Sequence, residues 1–488
     1  VEIFRHNADF SSLPLVEMTN AWVAIFFFWS GTENMLQPKN IFYAILFIYL
    51  ALSVGYAVFT PPWESPDEVA HYLYAAQLAE RWRPAPPSEI QQVDSFYKDQ
   101  PYLTSSYEWF QPAIGYLPAA LAYKAAAVFY PKGVLTQLPA LSALSPEIPA
   151  RYNVFIHPEK SIWQTWRANR TLLAMRLVSA LSGLVVIAAA FSVGKRLSPQ
   201  SDWLGLAGAG VIAFLPQFTF INASVRGDTL TNALAALVFW LSARVQFSEK
   251  SSSKDIFFLG ALLGLGLLGK NTFLYMVPIG FLALFLSAPR FGVNEWKNFF
   301  KLALFILLPW LAYYLAFDEA RQAFAHTTSM MLKINPDYLN WAYLKTIPGP
   351  LLIDLFYARF GWANLSLPWP LTGAIFGLWC LGSGLSLTLF LSLAAKTWRE
   401  PAVKILLLLL AGEVLALMGA LRFNLSIYQP QGRFLFPALL PWAFLGLWGV
   451  WQKIPALKQK HAAFWAMGGM LVFNLYALLG VLFPAYWG

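Results

Sequence analysis

The sequence predicts an all-α polytopic membrane protein, and three observations carry that prediction. The chain has 488 residues, of which 58% are hydrophobic and only 12% charged, about half the charged share of a soluble domain, which is roughly 25%. Apolar runs of ~20 residues recur from end to end, each long enough to cross a bilayer as a helix. These runs are continuously apolar rather than alternating, a pattern that disfavours an outer-membrane barrel. The single cysteine, Cys380, lies inside an apolar run. An intrachain disulfide framework and a cysteine-based metal site are therefore excluded. The net charge of +9 reports loop orientation in such a chain, and no nucleic-acid partner is expected.

Residues 1–40 are expected to form a cytoplasmic or interfacial segment. Arg5 is followed by polar residues and "AWVAIFFFWS" (21–30) is too short to span, so no signal peptide is read there. Residues 41–488 are read as one transmembrane domain with eleven spans. These are placed at about 41–60, 171–195, 202–222, 229–247, 256–270, 272–288, 299–317, 369–394, 403–421, 436–452 and 462–484. The fifth is short and glycine-rich and is expected to tilt or to stop below the outer surface. Basic residues orient the bundle. With the first segment inside, every inside connection is basic, carrying Lys39, Lys195, Arg196, Arg244, Lys250, Lys254, Arg290, Lys297 and others. The short outside loops hold only Arg226, Lys270, Arg422 and Arg433. Two outside connections are long, 61–170 and 318–368. Within the first, Val69, Leu73, Ala76 and Ala79 make one apolar stripe over 66–83, and 112–130 is a second apolar stretch. Both are expected to lie on the membrane rather than to cross it.

The first long loop opens with "PPWESPDEVAH" (61–71), which sets Glu64, Asp67, Glu68 and His71 at the membrane–water boundary. Ser65-Pro66-Asp67-Glu68 has the form of a capping box, with Ser65 as N-cap, Pro66 at the first helical position and Glu68 at the third. Acidic residues also suit the positive end of a helix dipole. Capping leaves His71 unexplained, although it shares a helical face with Asp67 and Glu68. The competing reading is a general base or a cation site. Asp67, Glu68 and His71 are the ligands for a divalent cation if one binds, but their spacing does not specify a metal. No other cofactor is expected.

Other candidates are scattered along the chain. "QPQGRFLFP" (429–437) sets Gln431, Gly432 and Arg433 at the outer mouth of the tenth span. Glycine there lets backbone approach a ligand, and the planar fork of Arg433 suits phosphate. The plainer alternative is an arginine that snorkels to the surface. In "NASVRGDTLTNALA" (222–235), Asp228 is expected to cap the fourth span with Arg226 as a snorkelling partner. Lys270, in "LLGKNTF" (267–273), either satisfies the last carbonyls of a short helix or presents a point charge to a lipid phosphate. Arg359, in "LFYARFGWANLSLP" (355–368), is expected on a helix packed against the interface. Glu413 falls near the middle of the ninth span, where a carboxylate is expensive and is expected to face the bundle interior or to be protonated.

Taken in order, "PPWESPDEVAH", "WFQPAIGYLP" (109–118), "RGDTLTNALA" (226–235), "GLLGKNTF" (266–273), "LFYARFGWANLSLP" and "QPQGRFLFP" span nearly the whole chain. In these pieces the chain resembles a family of bacterial multi-span proteins, a domain of unknown function related to the GT-C glycosyltransferases such as protein mannosyltransferases and aminoarabinose transferases. The resemblance implies a GT-C-like bundle of about 11 transmembrane helices with a large first extracytoplasmic loop carrying interfacial helices. It implies a place in the bacterial inner membrane with the active site facing outward. The family's acidic residue after the first span falls on Asp67, with Glu68 beside it, as the base or as the group that orients the acceptor. The second loop piece falls on Gln111 and Pro112, where Ala113 stands in place of a second proline. An asparagine–aspartate pair is represented by Gly227-Asp228, so only the aspartate half remains. The basic residue near the end of the bundle falls on Arg433.

The implied activity moves a sugar from a polyprenyl-phosphate donor to an acceptor hydroxyl, with inversion. Phosphate leaves as a stable anion, so the protein must supply a base, alignment and positive charge. Asp67 would take the acceptor proton, and Arg433, helped by Lys270 or Arg226, would stabilise the departing phosphate. His71, Gln111, Asp228, Gln431 and Arg359 are the candidates for the acceptor side. The expected partners are the lipid-linked donor, membrane lipids, and a glycan, lipid or protein acceptor. Other classes fit less well. A transporter or flippase needs polar groups at mid-membrane and internal repeats, and only Glu413 qualifies. Oligosaccharide ligases and polymerases commonly carry their large outer loop late in the chain. A non-catalytic lipid-glycan binding subunit fits if Glu68 does no more than cap a helix.

Overall fold

A computed structural model describes residues 37–84, 86, 88, 107–129, 154, 155, 157, 161–247, 252–288 and 292–488. The expected segment 1–40 lies outside the described residues up to position 36, and the first helix, α1, runs Pro38–Phe59. Helix covers all eleven expected spans. After α1, the first loop contributes α2 (Glu68–Arg81), α3 (Leu117–Phe129) and α4 (Ile162–Ala168). The bundle continues with α5 (Arg170–Leu197), α6 (Trp203–Ala213), α7 (Pro216–Asn222), α8 (Asp228–Val245), α9 (Ser253–Leu267) and α10 (Val277–Ser287). Then come α11 (Val293–Ala316), α12 (Asp318–Leu332), α13 (Trp369–Thr397), α14 (Pro401–Asn424), α15 (Leu439–Trp451) and α16 (Ala456–Leu475).

Among the described residues, seven helices have the length and apolarity for a crossing, or eight with α6 and α7 counted as one. Two of the three remaining expected spans fall short for visible reasons. The N-terminal end of α8 is polar, with Asp228, Thr229, Thr231 and Asn232 all buried. The glycine-rich α9 has 15 residues, the shortness the sequence suggested. The third expected span breaks by 63° between α6 and α7. Pro216 opens α7 and Leu215 before it is extended, since proline lacks the N–H that would continue the helix and disfavours helical geometry in the preceding residue. Backbone groups freed inside a membrane need internal partners. Asn474 of α16 supplies one, donating to Phe214 O at 3.1 Å, while Thr219 Oγ1 donates to Leu215 O at 3.2 Å.

Helices α5, α6, α8 and α15 form the packed centre, whereas α11 and α13 turn mostly apolar side chains outward. Glu413 of α14 faces the interior, as expected, and its Oε2 has no hydrogen-bond partner among the described residues.

The two helices expected to lie on the membrane differ in exposure. α3 exposes Leu121, Val128 and Phe129. α2 does not lie on a surface: every residue from Glu68 to Ala79 is buried. It is roofed by α3 and by a 3-10 turn, Tyr107–Phe110, so its single apolar stripe understates how far it is enclosed. The second long loop starts with α12, whose Thr327 hydroxyl donates to Phe110 O at 3.2 Å. It ends in a two-residue hairpin, β1 (Arg359–Phe360) against β2 (Leu365–Ser366). Arg359 therefore sits on a strand, not on the expected helix. Its N–H bonds Gln217 Oε1 at 2.7 Å and its Nε bonds Ala363 O at 2.7 Å, closing the hairpin locally.

Candidate functional site

The four titratable residues of the opening motif go to four different places. Glu64 is fully buried and accepts from Val154 N and Phe155 N, both at 2.9 Å, and from His157 Nε2 at 3.0 Å. Glu68 meets Arg176 of α5 through two hydrogen bonds, at 2.8 and 2.5 Å, and also accepts from Val225 N at 3.2 Å. His71 Nδ1 lies 2.7 Å from the Tyr116 hydroxyl. Asp67 Oδ2 lies 3.1 Å from Arg433, at the far end of the sequence.

The expected capping box is not formed. The helix begins at Glu68, and Asp67 is its N-cap, in left-handed backbone at φ 63° with no side-chain capping bond. Aspartate tolerates that region better than most residues, and strained backbone persists only where its surroundings hold it. Here they do. Arg226 is buried and donates to Ser65 Oγ at 3.0 Å and Pro66 O at 2.6 Å. Trp362 Nε1 donates to Trp63 O at 3.1 Å. Glu68 fastens the other side of the turn to α5. Arg226, expected to snorkel or to help hold phosphate, grips this turn, and Ser65 accepts from it instead of capping.

Arg433 stands in a 3-10 turn, Gly432–Ala438, that feeds α15. A Cβ on Gly432 would come within 2.4 Å of Phe356 N and Cα. The close approach that Gly432 permits is thus to the Phe356 backbone, not to a ligand. Lys270 is ion-paired with Asp228. Its Nζ is 5.3 Å from the Phe434 ring centre, and the Arg433 guanidinium is 5.6 Å from the same centre. Two cations thus flank one ring, each opposed by one carboxylate. Asp228 does not cap the helix as expected: Gly227 is the N-cap, with no side-chain capping bond, and Asp228, the first helical residue, pairs with Lys270. The three loops meet at Gly115, where a Cβ would fall 2.5 Å from Gly269 O and 3.1 Å from Gly227 O.

The sequence reading missed Glu108, on the Tyr107–Phe110 turn. Burial pushes its carboxyl up to about 7, with Asp67 adding to the rise, Lys270 and Arg433 opposing it, and Asp228 adding a little. His71 feels the same four charges, but burial drives it down to about 4. His71 is therefore neutral at physiological pH. The turn bearing Glu108 is clamped on both sides, by Tyr74 donating to Gln111 O at 3.0 Å and by the His326 ring against Trp109 and Phe110. Gln111 thus takes part through its main chain. Gln431 begins the turn bearing Arg433, with its N–H on Gln429 O at 2.7 Å. Arg359 serves its own hairpin. Among the described residues no group of three His, Cys, Asp or Glu is arranged to hold a metal, so Asp67, Glu68 and His71 do not form the conditional cation site.

Arg176 was also missed. An arginine seven positions into a 28-residue helix that is otherwise apolar there is a recognisable signal. Glu108 had a weaker one, being the acid immediately before "WFQPAIGYLP".

Comparison with known proteins gives three results. Among curated proteins none matches. Solved structures of ArnT from Cupriavidus metallidurans are similar at low identity. The apo form is 12% identical with TM-score 0.44, covering 91% of this chain and 73% of that one; the form bound to undecaprenyl phosphate is 14% identical with TM-score 0.40, covering 91% and 74%. The archaeal oligosaccharyltransferase AglB from Archaeoglobus fulgidus, in complex with an inhibitory peptide and a dolichol-phosphate, is 14% identical with TM-score 0.46. It covers 92% of this chain and 55% of that one. Finally, residues 161–441, more than half of the chain and including Arg176, Arg226, Asp228, Lys270 and Arg433, match a family model. The chain belongs to the family described as "Predicted membrane protein (DUF2142)".

Proposed function

We propose that this protein is a membrane glycosyltransferase of GT-C type, which moves a sugar from a polyprenyl-phosphate donor to an acceptor hydroxyl on the extracytoplasmic face of the inner membrane. The observation that carries the reading is the 3.1 Å contact between Asp67 and Arg433, brought together across almost the whole chain. Beside it, Lys270 and Asp228 make a second pair. The outward side is inferred from the few cations of the short outside loops, of which Arg433 and Lys270 flank the Phe434 ring.

The chemistry follows from the charges. Each cation is paired with a carboxylate. A donor phosphate offers Arg433 and Lys270 a stronger, charge-assisted partner. Arg433 has a donor to give, because its Nε is buried without a hydrogen-bond partner among the described residues. Exchange of partners releases Asp67 to accept the proton of the acceptor hydroxyl. The acceptor oxygen attacks C1 of the sugar in line, the C1–O bond to phosphate breaks, and the cations hold the phosphate as it gains charge. Glu68 and Arg226 act on the turn that aims Asp67.

The test is purified protein incubated with a panel of short-chain polyprenyl-phosphate sugars, scored by mass spectrometry for sugar transfer and for free polyprenyl phosphate. Wild type is expected to release both products. Asp67→Asn is expected to abolish turnover and retain donor binding, and Arg433→Ala to weaken the donor. Full activity in Asp67→Asn would remove the base assignment. Translocation in vesicles that Glu413→Gln abolishes, with no glycosidic chemistry, would replace the proposal with a transporter.

A further inference from the structure

We propose that the segment 356–362 is a spacer that sets how closely Asp67 and Arg433 approach, with Trp362 as a positioning residue for Asp67. The inference rests on the transfer reading above, in which that pair opens to admit phosphate. The segment belongs to the second long loop and touches both turns that carry the pair. At its end, Trp362 Nε1 donates to Trp63 O at 3.1 Å, and the chain runs on from Trp63 into Asp67. At its start, the Phe356 backbone lies so close to Gly432 that a Cβ there would fall 2.4 Å from Phe356 N and Cα. Gly432 immediately precedes Arg433. One short stretch of chain therefore bears on both partners of the 3.1 Å contact.

The turn needs such a hold. Trp63 and Asp67 both have left-handed backbone, at φ 71° and 63°. For a residue as bulky as tryptophan that is an outlier, and it persists only while its surroundings fix it. The Trp63 ring packs edge-on against Tyr72 of α2 at 5.2 Å, and its carbonyl is the group that Trp362 holds. Arg226 and Glu68 fix the turn beyond Trp63, so the indole N–H ties down its start. The spacer is itself anchored. Phe360 is buried between Tyr56 of α1, at 5.6 Å, and Phe220 of α7, at 5.3 Å. The Arg359 N–H on Gln217 Oε1 adds a bond to α7. The Phe356 ring meets Phe436 at 5.6 Å and Trp442 at 5.2 Å. Trp362 stands at the hairpin tip between Gly361 at φ 59° and Ala363 at φ 61°. A base and a cation that serve one reaction must keep their spacing, since a misplacement of ~1 Å can cost on the order of 100-fold in rate.

The experiment compares wild type, Trp362→Phe, which keeps a ring and removes the N–H, and Trp362→His, which keeps a ring N–H. Two quantities are read: kcat per donor-binding site, and the Kd for a short-chain polyprenyl phosphate with and without Asp67→Asn. Asp67→Asn removes the carboxylate that competes with phosphate for Arg433, so in otherwise wild-type protein it should tighten binding roughly threefold to fivefold. In the Trp362→Phe background the tightening should fall below about twofold, because the two groups no longer meet. Trp362→Phe should also lower kcat per site roughly tenfold to hundredfold, and Trp362→His should recover part of both effects. A Trp362 that only stabilises the fold would reduce the number of binding sites and leave kcat per site and the Asp67→Asn tightening at wild-type values; that result would overturn the proposal. If the Trp362 variants do not fold, Gly432→Ala reads the same quantity from the other turn, and wild-type tightening there would overturn it equally. Either result alongside Asp67-dependent transfer leaves the glycosyltransferase reading standing; wild type that neither transfers sugar nor binds polyprenyl phosphate ends both.

Discussion

Glu68 and Arg176 lie 2.5 Å apart with no side-chain exposure, while the next carboxylate along, Asp67, sits 3.1 Å from Arg433 with 16% and 9% exposure. In the sealed pair all five guanidinium N–H groups are used, two on Glu68 and three on the carbonyls of Ala57, Thr60 and Pro61. The Trp166 ring also lies against that guanidinium. In the open pair Arg433 Nε is left without a hydrogen-bond partner among the described residues. A saturated arginine has nothing left for a ligand. One that keeps a buried donor unspent at the edge of the fold is poised to exchange its partner. Neighbouring positions thus hold one sealed pair that locks α2 onto the bundle and one that keeps some exposure and an unspent donor.

The comparison is most sharply tested at the open pair. Asp67→Asn is expected to lower kcat on the order of 10²–10⁴-fold with an almost unchanged melting temperature; a large fall in stability would make this pair structural too. At the sealed pair the pattern reverses. Arg176→Met strands Glu68 as a buried unpaired charge and is expected to cost about 3–5 kcal/mol in unfolding measurements. The double change Glu68→Leu with Arg176→Met should recover much of that loss. Glu108 gives an intermediate effect with a definite sign. Its carboxyl rises from an ordinary 4.5 to about 7 on folding, so the folded state holds the proton more tightly. Its contribution is fully present below pH 4.5 and is lost as pH rises through about 7. Glu108→Gln should therefore stabilise the protein at pH 8, on the order of 3 kcal/mol at most, and have little effect at pH 4. Arg433→Ala should weaken donor binding by about 1.5–3 kcal/mol, read by titration with a short-chain polyprenyl phosphate. The smallest effect belongs to His71. Lowered to about 4, it stays neutral above pH 6, so the effect of His71→Asn on unfolding stability should not change between pH 6 and 8.

Residue types and their burial explain which parts of the site could be read in advance. Asp67 and Arg433 were legible because each is a charge beside an apolar segment, and Arg433 is one of the few cations in the short loops expected outside. Lys270 and Asp228 were legible as candidates but not as partners, since 42 residues separate them. Glu68 was misread because Ser65-Pro66-Asp67-Glu68 matches a capping box in letters. The left-handed backbone at Asp67, which turns Glu68 toward α5, leaves no mark in the letters. Glu108 lay in a stretch without periodicity, where no helical face groups it with other charges.

Composition and apolar run length alone determined that this chain is a polytopic helical membrane protein, because a bilayer admits only segments that satisfy their own backbone hydrogen bonds and bury about twenty apolar residues. The basic residues of the loops likewise carried the expectation of sidedness. Tertiary structure decided how those charges are shared out. Ion pairs form between side chains hundreds of residues apart, and their partners are set by helix packing and by backbone approaches such as those at Gly115 and Gly432. Which carboxylate is sealed against its arginine and which keeps some exposure is therefore a property of the folded bundle.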